Sequence, residues 1–199
     1  MLNLTSFISY TQEMQRYIDT VPKVKESWDI RCADMGRVKK HIKVKLLDIQ
    51  DGKCAYCMSK LNPTVKNDGD LQLDGDREHI APKSIHPNFI FEPLNFVLAC
   101  STCNRILKND TDTIQLVHTN YEDCEFKIIH PILDNVDEHI GFSKGVIISL
   151  SLDKGKWTDN LFKLSNEYYT RQRVEAYQLS LMSDMIDEIC NNPFGVTNI

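Results

Sequence analysis

An α+β fold is the class this sequence predicts, and three observations predict it: apolar residues at helical spacing towards both ends, short strand-like segments in the middle, and two Cys-x-x-Cys pairs closing a long central segment. Residues 4–18 carry a loosely helical pattern that Val21-Pro22 interrupts. A second helix spans residues 35–49, where Val38, Ile42, Leu46 and Ile49 recur every three or four positions, and Asp51-Gly52 closes it. Asn62-Pro63 and Asn67-Asp68-Gly69 mark turns, residues 71–80 are extended, and residues 96–99 form a short apolar strand. Ser101 or Thr102 then caps a helix carrying Asn104, Arg105 and Lys108. Further on, residues 145–152 alternate and β-branch as a strand, Asp153-Lys154-Gly155 turns, and residues 157–164 supply the return strand of a C-terminal hairpin. Residues 166–189 form a long helix with Val174, Tyr177, Leu181 and Ile189 on its buried side. The chain divides into an N-terminal helical segment (1–52), a central segment (53–112) and a C-terminal α+β extension (113–199).

With 199 residues, 42% of them hydrophobic, the chain can bury a real core. Residues 1–20 mix polar side chains among the apolar ones, unlike a signal peptide, and no run spans a bilayer, so the expected location is the cytoplasm. Seven cysteines are an odd number, which fits a disulfide framework poorly and metal binding better. The formal net charge of −5 runs against nucleic-acid binding, yet the distribution matters more than the sum. Arg37, Lys39, Lys40, Lys43 and Lys45 make the densest positive stretch, either a phosphate-tracking face or a solvated one.

Cys54-Ala55-Tyr56-Cys57 and Cys100-Ser101-Thr102-Cys103 are two knuckles that together supply four thiolates, the ligand set of a closed tetrahedral zinc site. A redox pair of the thioredoxin kind needs a βαβ context that is missing around Cys54. Such a zinc site contributes roughly 10 kcal/mol of apparent folding free energy. Cys32, Cys124 and Cys190 lack a knuckle partner and read as packed thiols.

Between the knuckles run Asp76-Arg77-Glu78-His79-Ile80-Ala81-Pro82-Lys83 and then Leu94-Asn95-Phe96-Val97-Leu98-Ala99, leading into Cys100 and Asn104-Arg105. This arrangement resembles the HNH endonuclease family, in the subgroup whose ββα-metal motif is embedded in a four-cysteine zinc site. The resemblance implies a ββα-metal core over residues 53–112 with the acidic-His pair on Glu78 and His79, the middle Asn on Asn95 and the final His or Asn on Asn104. It further implies that Glu78 and Asn104 hold Mg²⁺ or Mn²⁺, that His79 is the general base, and that Asn95 orients the His79 loop. The residue types suit phosphodiester hydrolysis: hard oxygen donors for the cation, and an imidazole of unperturbed pKa near 6.5 for the water. On an extended segment, however, His79 and Glu78 point to opposite faces.

Lys83, Arg105 and Lys108 are the expected phosphate contacts, with solubility as their plain alternative. His86 reads as a loop residue. Downstream, His130-Pro131-Ile132-Leu133-Asp134 and Asp137-Glu138-His139 resemble a segment of bacterial HNH proteins that travel with an ATPase subunit in Septu-type phage defence. As a local pattern this is a structural His with a capping Asp, and a second metal site is the minor reading. The resemblance implies a nucleic-acid substrate, DNA first and RNA second, with an ATPase partner or a homodimer for double-strand cleavage. A non-catalytic zinc module that binds nucleic acid or scaffolds a complex is the competing class.

Overall fold

The computed structural model describes residues 1–61, 63–65, 71–73 and 75–191; Asn62 and the turn Asn67-Asp68-Gly69 lie outside them. Among the described residues, four antiparallel two-stranded ladders and four α-helices make an α+β body. Its buried core draws on all three segments of the chain, from Leu4 and Met35 through Phe96 to Phe162.

The first helix is shorter than its pattern suggests. Residues 1–10 are not helical, and Leu2 and Leu4 donate backbone N–H groups to Ala55 O and Pro131 O. Thr11 caps α1 (Gln12–Thr20) by accepting from Met14 N, so Leu4 and Ile8 are buried as anchors of an extended strap. Helix α2 (Ala33–Ile49) follows its periodicity, burying Met35, Val38, Ile42 and Leu46. It ends where Asp51 and Gly52 take positive φ.

Strand β1 (Pro63–Val65) pairs with β2 (Leu71–Leu73). Strand β3 (Asp76–His79) pairs with β4 (Phe96–Ala99) in the register Asp76↔Ala99, Arg77↔Leu98, Glu78↔Val97 and His79↔Phe96. The helix after β4 is a π-helix, Thr102–Lys108, whose wider turn is closed by Asn109 N–H donating to Asn104 O at 2.7 Å. Neither Ser101 nor Thr102 caps it through a side chain; Cys103 N–H instead faces Cys100 Sγ at 3.5 Å. Strand β5 (Ile114–Leu116) and β6 (Glu125–Phe126) form a small ladder that the sequence pattern did not disclose.

The C-terminal hairpin keeps the strand expected over residues 145–152, but its partner precedes it in the chain. Strand β7 (Ile140–Ser143) pairs with β8 (Val146–Leu150) across a tight turn at Lys144 and Gly145, both at positive φ. Residues 157–164 are not the return strand: they fall largely within helix α3 (Lys154–Phe162). Thr158 and Phe162, one helical turn apart, face the core there, and Phe162 stacks on Tyr56 at 3.9 Å between ring centroids. The long helix α4 (Glu167–Asn191) is present, but it buries Tyr169 and Arg173 while Leu181 is exposed, and the Ile189 side chain lies outside the description.

Candidate active site

The two cysteine knuckles converge. Sγ atoms of Cys54, Cys57, Cys100 and Cys103 all lie within 4.8 Å of one another, and no disulfide joins them. The first knuckle is a tight turn in which Met58 N–H donates to Cys54 O and Cys54 N–H to Ser59 O, with Met58 at positive φ. The second bridges β4 and the π-helix. Helix α4 closes the site from outside: Ser59 Oγ donates to Gln172 Oε1 at 2.7 Å, and the buried Arg173 guanidinium hydrogen-bonds Gly145 O and Leu164 O nearby. The thiols split one another's protonation. Hydrogen bonds from its neighbours hold Cys57 far below the ordinary thiol range, and the same contacts push Cys103 far above it. Four sulfurs this close ionise together only around a cation, and soft, buried, mutually adjacent donors fit zinc.

Directly beside this cluster, β3 and the π-helix wall a cleft of about 550 Å³ lined by Asp76, Glu78, His79, Lys83, Asn104, Arg105 and Lys108, among others. The pleat places Asp76 and Glu78, two residues apart, on one face of β3. Asn104 and Lys108, one turn apart on the helix, meet them rung for rung. Asn104 Nδ2 donates to Asp76 Oδ2 at 3.1 Å, and Lys108 Nζ pairs with Glu78 Oε1 at 2.6 Å while donating to His79 O at 3.0 Å. Arg105 grips Asp76 through both carboxylate oxygens, at 2.8 and 2.6 Å. Burial pushes the Glu78 carboxyl up, against the opposing pull of Lys108.

His79 is buried, edge-on to Trp28 at 4.6 Å and against Phe96 at 4.8 Å. Its Nε2 lies 3.1 Å from Ile90 O, and a carbonyl only accepts, so the ring proton sits on Nε2 and Nδ1 keeps its lone pair. Burial, joined by the cations Lys83, Lys108 and Arg77, lowers its pKa to about 3, so the ring is neutral at pH 7.

Asn95 is fully buried and saturated. Its Oδ1 accepts from Ala81 N at 2.7 Å and from the Tyr121 hydroxyl at 2.9 Å, while Nδ2 donates to Ala81 O at 3.1 Å and Phe89 O at 2.9 Å. It thereby clamps both ends of the loop that carries Ile90 O to His79. Behind it lies His130. Ile132 and Leu133 N–H groups donate to its Nδ1, so Nε2 carries the proton and donates to Tyr121 Oη at 3.1 Å. The downstream cluster is thus structural. Asp134 accepts from His130 N–H and from Lys154, while His139 sits apart beside Ser151. His86 is held by Asp112 at 2.7 Å.

Glu78, His79 and Asn104 therefore share one cleft, but not as a closed cage. Among the described residues, the thiols alone form a group of three or more His, Cys, Asp or Glu ligand atoms mutually within 4.8 Å. Asp76, Glu78 and the Asn104 amide oxygen nevertheless suit Mg²⁺ or Mn²⁺, which take few protein oxygens and fill the shell with water and phosphate. Of the expected phosphate contacts, Lys83 lines the cleft half-exposed and Arg105 is exposed on Asp76. Lys108 differs: it is 1% exposed, with its ammonium on Glu78 and not on the surface. Sequence reasoning missed Asp76 and Tyr121. Asp76 was within reach, since alternation alone puts it on the face of Glu78. The cleft carries both signs of charge: Arg77, Lys83, Arg105 and Lys108 line it together with Asp29, Asp76, Glu78 and Asp110.

The fold and the site define an α+β protein with a four-cysteine cluster that could bind zinc, beside a carboxylate, amide and imidazole cleft. No family model matches the chain. It is similar to the Septu protein PtuB of Bacillus thuringiensis, 28% identical over 127 residues, which cover 64% of this chain and 42% of that protein, so the match spans under half of the relative's length. No helix among the described residues is long and apolar enough to cross a membrane.

Proposed function

We propose that this chain is a metal-dependent endonuclease with a ββα-metal (HNH) site, hydrolysing phosphodiester bonds in DNA as the nuclease component of a Septu-type antiphage assembly. The observation that carries the reading is the state of His79: its Nε2 proton is parked on Ile90 O, which leaves Nδ1 with its lone pair on a residue that lines the cleft with Glu78 and Asn104. In this reading β3, β4 and the π-helix are the two strands and helix of the motif. The thiols hold structural Zn²⁺, and Glu78 and Asn104, with Asp76 beside them, hold Mg²⁺ or Mn²⁺. The likeness to PtuB supports the setting. An ATPase partner or a second copy of the chain is what converts nicking into double-strand cleavage.

The chain's own groups divide the work. His79 Nδ1 takes a proton from water as its oxygen attacks phosphorus, the bond to the leaving sugar oxygen breaks, and that oxygen leaves with a solvent proton. A divalent cation bound here supplies charge neutralisation to the phosphate and leaving oxygens. Lys83 and Arg105 hold flanking phosphates without reading bases. Burial is the main cause of the low His79 pKa, and a substrate phosphate offsets only the smaller depression by Lys83, Lys108 and Arg77.

Supercoiled plasmid incubated with the zinc-loaded protein and Mn²⁺ or Mg²⁺ tests the proposal. Nicked circles that disappear with EDTA are expected. RNA run in parallel decides the polymer. A single observation favours the competing non-catalytic zinc module, namely that Lys108 neutralises Glu78. Failure to cut either polymer, alone or with a co-expressed ATPase neighbour, would decide for that module.

A further inference from the structure

The cleft contains a side chain that a metal site does not call for. Lys108 is 1% exposed, and among the described residues its ammonium meets Glu78 Oε1 at 2.6 Å and His79 O at 3.0 Å. A lysine is rarely buried unless its charge is matched. Here the match is the carboxylate assigned to the divalent cation. We propose that Lys108 is a built-in counter-cation that holds Glu78 against divalent metal until a phosphodiester draws its ammonium away. The inference rests on the reading of Glu78 as a metal ligand.

An ammonium at 2.6 Å from Glu78 Oε1 and a divalent cation on the same oxygen would sit within a few ångströms of each other, and in a buried site that repulsion is weakly screened. The two cations therefore compete. A substrate phosphate entering between Lys83 and Arg105 brings the negative charge that Lys108 needs elsewhere, and its ammonium retains a third N–H with which to make that contact. Metal and substrate affinities are then linked, each raising the other by the same factor. The consequence is restraint: without nucleic acid the centre stays poor in metal, so an idle enzyme is not a loaded one.

Mn²⁺ binding, read by electron paramagnetic resonance at pH 8 on the zinc-loaded full chain, tests this. A His79→Ala background keeps an added short duplex intact, and Glu78→Gln corrects for Mn²⁺ on the DNA itself. Duplex is expected to tighten Glu78-dependent Mn²⁺ binding by about tenfold or more. Adding Lys108→Met is expected to tighten it by a similar factor without duplex and to abolish the duplex effect. Unchanged or weaker Mn²⁺ binding in Lys108→Met, with zinc content and melting temperature retained, overturns the proposal. Should that variant not fold, the lack of a duplex effect with Lys108 in place overturns it equally. If Glu78→Gln leaves Mn²⁺ binding untouched even with duplex, the metal-ligand reading falls as well, an outcome distinct from the failure of Lys108 alone.

Discussion

Tyr121→Phe removes one oxygen from the buried chain that runs from His130 through Tyr121 to Asn95. Phenylalanine keeps the edge-to-face contact with Phe89, at 5.0 Å, and the packing on Phe126, at 5.3 Å, so neither cavity nor overpacking confuses the result. What changes is hydrogen bonding. His130 Nε2–H loses its acceptor, and Asn95 Oδ1 keeps only Ala81 N–H. A buried donor left unpaired costs about 1–3 kcal/mol, so the urea midpoint should fall with its slope unchanged, by the equivalent of about 2 kcal/mol. Asn95→Ala should cost more, because it frees groups at Ala81, Phe89 and Tyr121 together. In a double-mutant cycle the pair should couple by about 0.5 kcal/mol or more. A loss under about 0.5 kcal/mol for Tyr121→Phe, or strict additivity with Asn95→Ala, would refute the idea that one continuous network clamps the His79 loop.

Other consequences are as direct. Stripping the metal with a strong chelator, or Cys57→Ser, should unfold the central core, since a four-thiolate zinc site contributes on the order of 10 kcal/mol; an unchanged far-ultraviolet spectrum after verified metal loss would contradict this. Acid should destabilise the protein through His130, whose pKa burial lowers to about 3. The unfolded chain takes up that proton near pH 6.5, so the stability held above this value is lost as pH falls towards 3. About 2 kcal/mol should go between pH 7 and pH 5 from this one residue. His130→Gln should flatten that part of the urea-midpoint profile, and an equally steep profile in the variant would place the dependence elsewhere.

The parts of the fold that could be read from the sequence were those fixed by local chemistry. Helix α2 followed from one apolar stripe, β4 from a short apolar run, and the four-cysteine cluster from two knuckles whose spacing has few other uses. Residues 157–164 misled because a segment this short fits both periods; what makes it helical is Thr158 and Phe162 docking on the core one turn apart. Residues 4–10 had helical spacing, but the segment is tied down as a strap by Leu2 on Ala55 and Leu4 on Pro131, more than fifty residues away. The exposed far half of α4 shows the same limit in reverse, since apolar spacing does not reveal what covers a face. Within the site, order and offset pointed to Glu78, His79, Asn95 and Asn104, and three of them, Glu78, His79 and Asn104, line one cleft. The burial of Lys108 was not, because a lysine on a helix looks solvated until a strand thirty residues earlier supplies its carboxylate. Nor was the Tyr121–His130 link, which exists only once β5 and β6 fold over Asn95.

In the proposed function, His79 acts as a base through Nδ1. Its most direct test is the single-turnover rate of plasmid nicking by wild type and His79→Ala, each with zinc content measured and Mn²⁺ saturating. A fall of about 10² to 10⁴ in rate is expected, with zinc content preserved and a lowered melting temperature, because the buried ring packs on Trp28 and Phe96. Equal rates from two zinc-loaded, folded proteins would mean that the imidazole takes no proton and that the cleft between β3 and the π-helix is not where cleavage happens.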